Sequence, residues 1–239
     1  FTGCVDEDDE TTTDNSIKIG FLNPITGPLE PDAAGFKWGA DQAISDLAKM
    51  YPDETFKLIE LDSGCSGDVA GPAAQTLVDS GVVAVVGAAC SGASMSANAV
   101  LAAAGIPMIS YASTNPGLSD EAKYPHFYRN VPSDAIQGPA GAAMMADAGV
   151  TNESLAILHM TNDYGSGLAD SIKAAWEEDG KLCSAGMQGY EETTTNFDAM
   201  VANVTGASDC NAVYLSSYIT DAAGTVSYTH LRAHETQRY

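Results

Sequence analysis

The sequence predicts an α/β protein built as two doubly wound parallel-sheet lobes with a cleft between them. Short β-rich runs alternate with longer amphipathic ones from Ser16 to Ser216, and the alternation restarts after Val131-Pro132-Ser133-Asp134. A repeated βαβ series puts parallel strands between helices. The 239 residues suffice for one large domain or two modest lobes.

Taken in order, Ile17 to Leu22 is the first strand, and Ala33 to Met50 places Phe36, Ala40, Ala43, Ile44, Leu47 and Ala48 along one helical stripe. Phe56 to Leu61 is the second strand and Val69 to Asp79 the next helix. The run Val82 to Gly87 reads as a strand apolar on both faces, as in a parallel sheet covered by helices. A helix over Ser94 to Ala104, a strand at Pro107 to Ser110, a short helix at Pro116 to Ala122 and a strand at His126 to Arg129 complete the first lobe, residues 16–132. The second lobe, 133–225, begins with a helix from Ala135 to Ala148. It continues with a strand at Leu155 to His159, a helix at Gly165 to Glu178, a strand at Met187 to Tyr190, a helix at Phe197 to Val204 and a strand at Ala212 to Ser216. A hinge is expected near Val131 to Gln137.

Ten basic against 32 acidic side chains give a net charge of −22. Such a chain repels phosphate backbones and anionic headgroups, which argues against a nucleic-acid partner. No apolar run approaches the ~20 residues needed to cross a bilayer. The ends differ from the rest. Phe1-Thr2-Gly3-Cys4 resembles the end of a lipobox, which makes Cys4 a lipidation site, and the acidic, Thr-rich stretch up to Asn15 reads as a solvated tether. A plain Gly-Cys before a disordered tail is the other reading. Residues 226–239 hold two of the four His. The string Val226 to Thr236 looks like a translated transposase adapter from sequencing-library preparation, so His230 and His234 are not read as metal ligands and 226–239 is set aside as non-native. The second lobe is accordingly expected to be incomplete.

Cys65 and Cys90 each follow a strand of the first lobe, and Cys183 and Cys210 each precede a strand of the second. Each pair stands at equivalent heights on its sheet, where a disulfide is geometrically reasonable. Four core thiols or a cysteine-rich metal site are the alternatives, and no C-x-x-C or Cys/His spacing supports the metal. Paired cysteines point to an extracytoplasmic location.

Several motifs together carry a resemblance from Ile17 to about Gly224: Ile19 to Pro28, Asp62 to Cys65 followed by Cys90, Pro107 to Ser110, Ala112 to Pro116, Arg129 to Asp134, Gln137-Gly138-Pro139 and Asn162 to Gly167. In their order and spacing the sequence resembles the substrate-binding proteins of branched-chain amino acid ABC transporters, with the type I periplasmic-binding fold. The resemblance implies a small-molecule amino-acid ligand, an ABC permease as partner in the membrane, and cleft closure around the ligand. It places the ligand's α-carboxylate on hydroxyls and backbone N–H groups at Ser91, Ala112, Ser113 and Thr114, and aromatic cover at Tyr164 and Tyr218. Helix N-termini and strand carboxyl ends suit that role physically. Ordinary helix capping for Ser91 and Thr114, and half-buried packing for the tyrosines, remain open as alternatives. The family's acidic residue for the α-amino group is expected beyond residue 239. A monomer is expected, and neither a cofactor nor a metal.

Enzymatic chemistry finds no support. Ala89-Cys90-Ser91-Gly92-Ala93 lacks the flanking glycines of a nucleophile elbow, Asp170 occupies the last glycine position of a partial G-x-G-x-x-G, and no Walker A pattern occurs. No catalytic residue is assigned. A ligand-sensing receptor domain of the same fold, taking an amide, urea or another small solute, is the alternative function.

Overall fold

The computed structural model describes residues 14–225 other than 179 and 220. Cys4, most of the acidic tether and the 226–239 tail lie outside the described residues.

Two parallel sheets form. The first has the order β2-β1-β3-β4-β5, from β1 (Ile17–Asn23), β2 (Phe56–Asp62), β3 (Ala84–Val86), β4 (Met108–Ser110) and β5 (Phe127–Arg129). The second has the order β7-β6-β8, from β6 (Leu155–Met160), β7 (Met187–Tyr190) and β8 (Ala212–Ser216). The intervening helices are α1 (Glu30–Met50), α2 (Gly67–Asp79), α3 (Ser91–Ala103), α4 (Asp134–Asp147), α5 (Asp163–Glu177) and α6 (Asp198–Gly206), with a 3-10 turn at Pro116–Ser119. In both sheets the strand order reverses at a central strand, so adjacent carboxyl ends splay apart and open a crevice there.

Leu22, Leu77, Val85, Leu101 and Met108 form the core where α2 and α3 pack side by side on the first sheet. Leu155, Ile157, Leu168, Ile172 and Trp176 do the same beneath the paired α4 and α5. Those two helices pack closely because residue 138 is glycine: a Cβ there would meet the carbonyl carbon of Ser171 at 2.6 Å.

Three expectations are corrected. The Val82–Gly87 segment is not buried on both faces. Val85 is fully buried, but Val83, just before β3, is 57% exposed. On the opposite face Ile109 and Tyr128 are also exposed, because α1 covers only β1 and β2 and no other described helix crosses β3 to β5 there. The α1 stripe is half-buried at Phe36, Ala40, Ile44 and Leu47, whereas Ala43 and Ala48 are exposed. The extended crossing between the sheets ends at Ser133, since Asp134 to Gln137 already belong to α4. Ser133 caps that helix through its hydroxyl, which accepts from the Ala135 amide at 3.2 Å.

Both cysteine pairs are disulfide-bonded, Cys65 to Cys90 with Cα atoms 5.1 Å apart and Cys183 to Cys210 at 5.3 Å.

Candidate functional site

Three chain segments of the first lobe meet at the carboxyl ends of β3 and β4. α3 starts directly after Cys90, whose side chain makes no capping bond, so the first-turn N–H groups of this helix keep their donor capacity. Ser91, the first helical residue, is buried, and its hydroxyl accepts from the Asn115 amide at 3.2 Å. The Ser91 proton is thereby left for a second acceptor.

The loop after β4 is pinned from below. The Ser110 hydroxyl accepts from the amides of Ala112 at 3.2 Å and Ser113 at 2.8 Å, and donates to the Ala88 carbonyl at 2.6 Å. Arg129 holds the far side by donating to the carbonyls of Ser113 and Asn115 at 3.3 and 2.9 Å and to the Ser119 hydroxyl. Thr114 sits at the crest of this loop, with Oγ1 buried and without a hydrogen-bond partner.

Across the cleft, Tyr164 stands in the first turn of α5 and Tyr218 follows β8. Their rings stack, with centroids 5.3 Å apart and planes 12° from parallel. Gly165 permits that placement, because a Cβ there would meet the Met160 carbonyl oxygen at 2.3 Å and push α5 off the end of β6. Burial raises the Tyr164 phenol to about 12, with the Asp134 carboxylate adding to the shift, and burial raises Tyr218 further. Both hydroxyls therefore stay protonated as donors. Tyr218 donates to Cys65 Sγ at 3.4 Å, since a disulfide sulfur has no proton to give, and this contact joins the two lobes. Asn115 Nδ2, from the first lobe, donates to the Asp163 carbonyl of the second at 2.5 Å.

These elements enclose a cavity of about 200 Å³, room for six or seven waters. Ser91, Ala112, Thr114, Tyr164 and Tyr218 all line it. Ser113 does not: its hydroxyl is turned into the first lobe, 2.8 Å from Ser94 Oγ and 3.1 Å from the carbonyls of Ala88 and Ala89. Its amide is also used, by Ser110.

Asp134 is a residue that the sequence pattern conceals. It is fully buried, and neither carboxylate oxygen has a hydrogen-bond partner of good geometry. Burial raises its pKa to about 6, partly offset by the nearby Thr114 hydroxyl and the Arg129 guanidinium. Its charge is felt by both Tyr164 and Tyr214. A buried carboxylate met only by the nearby Thr114 hydroxyl and the more distant Arg129 guanidinium is a costly arrangement that a cation would relieve. Among the described residues no group of His, Cys, Asp and Glu has the arrangement to hold a metal ion.

Two parallel-sheet lobes meet at a crevice, with the start of α3 on one side and the stacked Tyr164 and Tyr218 on the other. The chain belongs to the periplasmic binding protein family, whose profile matches residues 16–228. It is 27% identical over 206 residues, 85% of this chain and 54% of the relative, to the leucine-, isoleucine-, valine-, threonine- and alanine-binding protein of Pseudomonas aeruginosa. It is 29% identical over 192 residues, 80% of this chain and 51% of the relative, to the leucine-specific-binding protein of Salmonella typhimurium. Among solved structures, the branched-chain amino acid transporter substrate binding protein LivJ from Streptococcus pneumoniae, in complex with isoleucine, superposes with a TM-score of 0.78 at 24% identity, covering 90% of this chain and 61% of that one. The chain thus spans about half the length of the curated relatives it matches. The family and these relatives are binding proteins, not enzymes.

Proposed function

We propose that this protein is an extracytoplasmic solute-binding component of an ABC importer that captures an α-amino acid by closure of the two lobes, 16–132 and 133–225. The observation that carries the reading is the polarity of the inner cavity. One wall offers the Ser91 and Thr114 hydroxyls and the uncapped start of α3, donors suited to a carboxylate. Behind that wall, outside the residues that line the cavity, the buried carboxylate of Asp134 stands near Thr114, and its negative charge favours an ammonium in the cavity. A zwitterion meets both the donors and this charge, whereas a simple anion or a simple cation meets one. Ala112 shapes the same wall, while Ser113 supports it from behind.

In this reading the first lobe holds the ligand and Tyr164 and Tyr218 then cover it, a hinge closure about the crossing that ends at Ser133. The branched-chain amino acids named for the relatives are the first candidates for the ligand. Cys4 would anchor the chain to the membrane as a lipoprotein, and a permease would receive the ligand from a monomer. A thermal-shift screen of the full-length protein against the common amino acids, small carboxylic acids and small amines tests the reading. A rise in Tm with amino acids alone is the expected result, and a rise with acids or amines alone would overturn it.

A further inference from the structure

The two lobes also touch at a point outside the inner cavity. Asn115, from the loop after β4, donates from Nδ2 to the Asp163 carbonyl at the start of α5, 2.5 Å away. A carbonyl has two lone pairs, so Asp163 can accept this bond in addition to its helical one. Neither Asn115 nor Asp163 lines the inner cavity. Both line a separate groove, together with Ser166 and Asp170.

Asn115 is fixed to the first lobe through each of its other polar atoms. Its amide donates to Ser91 Oγ at 3.2 Å, its carbonyl accepts from Arg129 at 2.9 Å, and its Oδ1 accepts from the Gly117 amide at 2.7 Å. The last bond caps the Pro116–Ser119 turn and orients the side chain, which leaves Nδ2 turned toward the second lobe. A donor held in this way loses little rotamer freedom when the lobes meet. The second lobe is shaped to receive it. Residue 167 stands one turn along α5 from Asp163 and is glycine, and a Cβ there would meet Asn115 Nδ2 at 2.5 Å and Pro116 Cδ at 3.3 Å. Glycine inside a helix is unfavourable relative to alanine, and here it admits a side chain of the other lobe.

Because its two partners belong to different lobes, this bond forms only when the cleft is shut. On the second lobe it holds the residue directly before Tyr164, a wall of the cavity, and on the first it is one bond away from Ser91, another wall. We infer that Asn115 is a positioning residue for closure. It touches no ligand, latches the start of α5 over the cavity and sets how long a bound ligand is retained, with Gly167 as the gap that admits it. The inference rests on the closure reading above. Losing a bond present only in the closed form lowers the closed population and shows mainly as faster ligand release.

Stopped-flow fluorescence of the full-length protein with leucine, valine and threonine tests it. Asn115→Asp keeps the acceptor for Gly117 and removes the donor to Asp163, whereas Gly167→Ala displaces the same donor from the opposite lobe. Each should speed dissociation about three- to tenfold, the scale of one net hydrogen bond, and leave association within about twofold. Since both remove one contact, the double variant should release ligand little faster than the faster single variant. Unchanged dissociation in either single variant would overturn the inference and leave the amino-acid site standing. Effects that multiply in the double variant would reveal two independent roles and overturn it as well. Binding of none of the three amino acids by the parent would overturn both the inference and the reading beneath it.

Discussion

The amide of Asp134 donates to the carbonyl of Thr114 at 2.9 Å, which ties the first turn of the second lobe's leading helix to the ligand loop of the first lobe. The Thr114 hydroxyl lies near the Asp134 carboxylate, and Thr114 lines the cavity while Asp134 stands behind it. A backbone bond thus fixes the spacing between Thr114 and Asp134, although the two come from different lobes.

Asp134→Asn should stabilise the protein and cripple it. The folded-state pKa of about 6 lies above the ordinary 3.8. Between those values the folded state binds more protons than the unfolded one, so this group lowers stability as pH rises through the window, and the loss is complete above about pH 6. The shift corresponds to a cost on the order of 3 kcal/mol at neutral pH, removed in the amide variant. Urea unfolding should show the variant more stable than the parent at pH 7.5, with the difference vanishing near pH 3.5. In the parent, amino-acid affinity should fall as pH drops below about 6, where Asp134 gains a proton.

Thr114→Ala and Ser91→Ala should each weaken amino-acid binding by about 1.5 to 3 kcal/mol, the scale of a hydrogen bond to a charged group. Ser91 also accepts the Asn115 amide, so its loss should loosen the 113–117 loop, whereas the Thr114 hydroxyl lies near the Asp134 carboxylate and holds no backbone group of that loop. Hydrogen exchange at Asn115 should rise in the Ser91 variant only. Full binding by both variants would place the site elsewhere.

Removing the Cys183–Cys210 bridge by a double change to alanine should cost about 3.5 kcal/mol in the chain-entropy model, given the separation of 27 residues. Peptide mapping without reduction should recover Cys65 linked to Cys90 and Cys183 linked to Cys210. Denaturant titration of the variant checks the magnitude.

Gly138→Ala should destabilise the second lobe even though alanine is the better helix former by about 1 kcal/mol. The added methyl would press on the Ser171 backbone, and forcing α4 from α5 should cost about 1 to 3 kcal/mol. A gain in Tm would mean that the two helices can part freely.

Much of the fold was legible because its elements are simple in pattern. Met187–Tyr190 and Ala212–Ser216 form strands over the predicted residues, and the other boundaries move by a few residues, chiefly at helix starts where caps compete with turns. The site was less legible. Ser113 carries the same hydroxyl as its neighbour Thr114, and only the packing of Ser94 beneath it shows that it serves the loop. Asp134 follows a capping serine and reads as an ordinary first-turn acid, favourable to the helix dipole. Its burial depends on the other lobe, which no local pattern encodes.

The central claim, a zwitterion held at both of its α-groups, is tested most directly by comparing each amino acid with versions lacking one charge. Leucine should be titrated calorimetrically into the full-length protein alongside its α-amide, which lacks the carboxylate, and 4-methylpentanoic acid, which lacks the ammonium. The account predicts that both bind at least a hundredfold more weakly than leucine. Equal affinity of the amide would remove the carboxylate from the site, equal affinity of the acid would remove the ammonium, and either result would contradict the account.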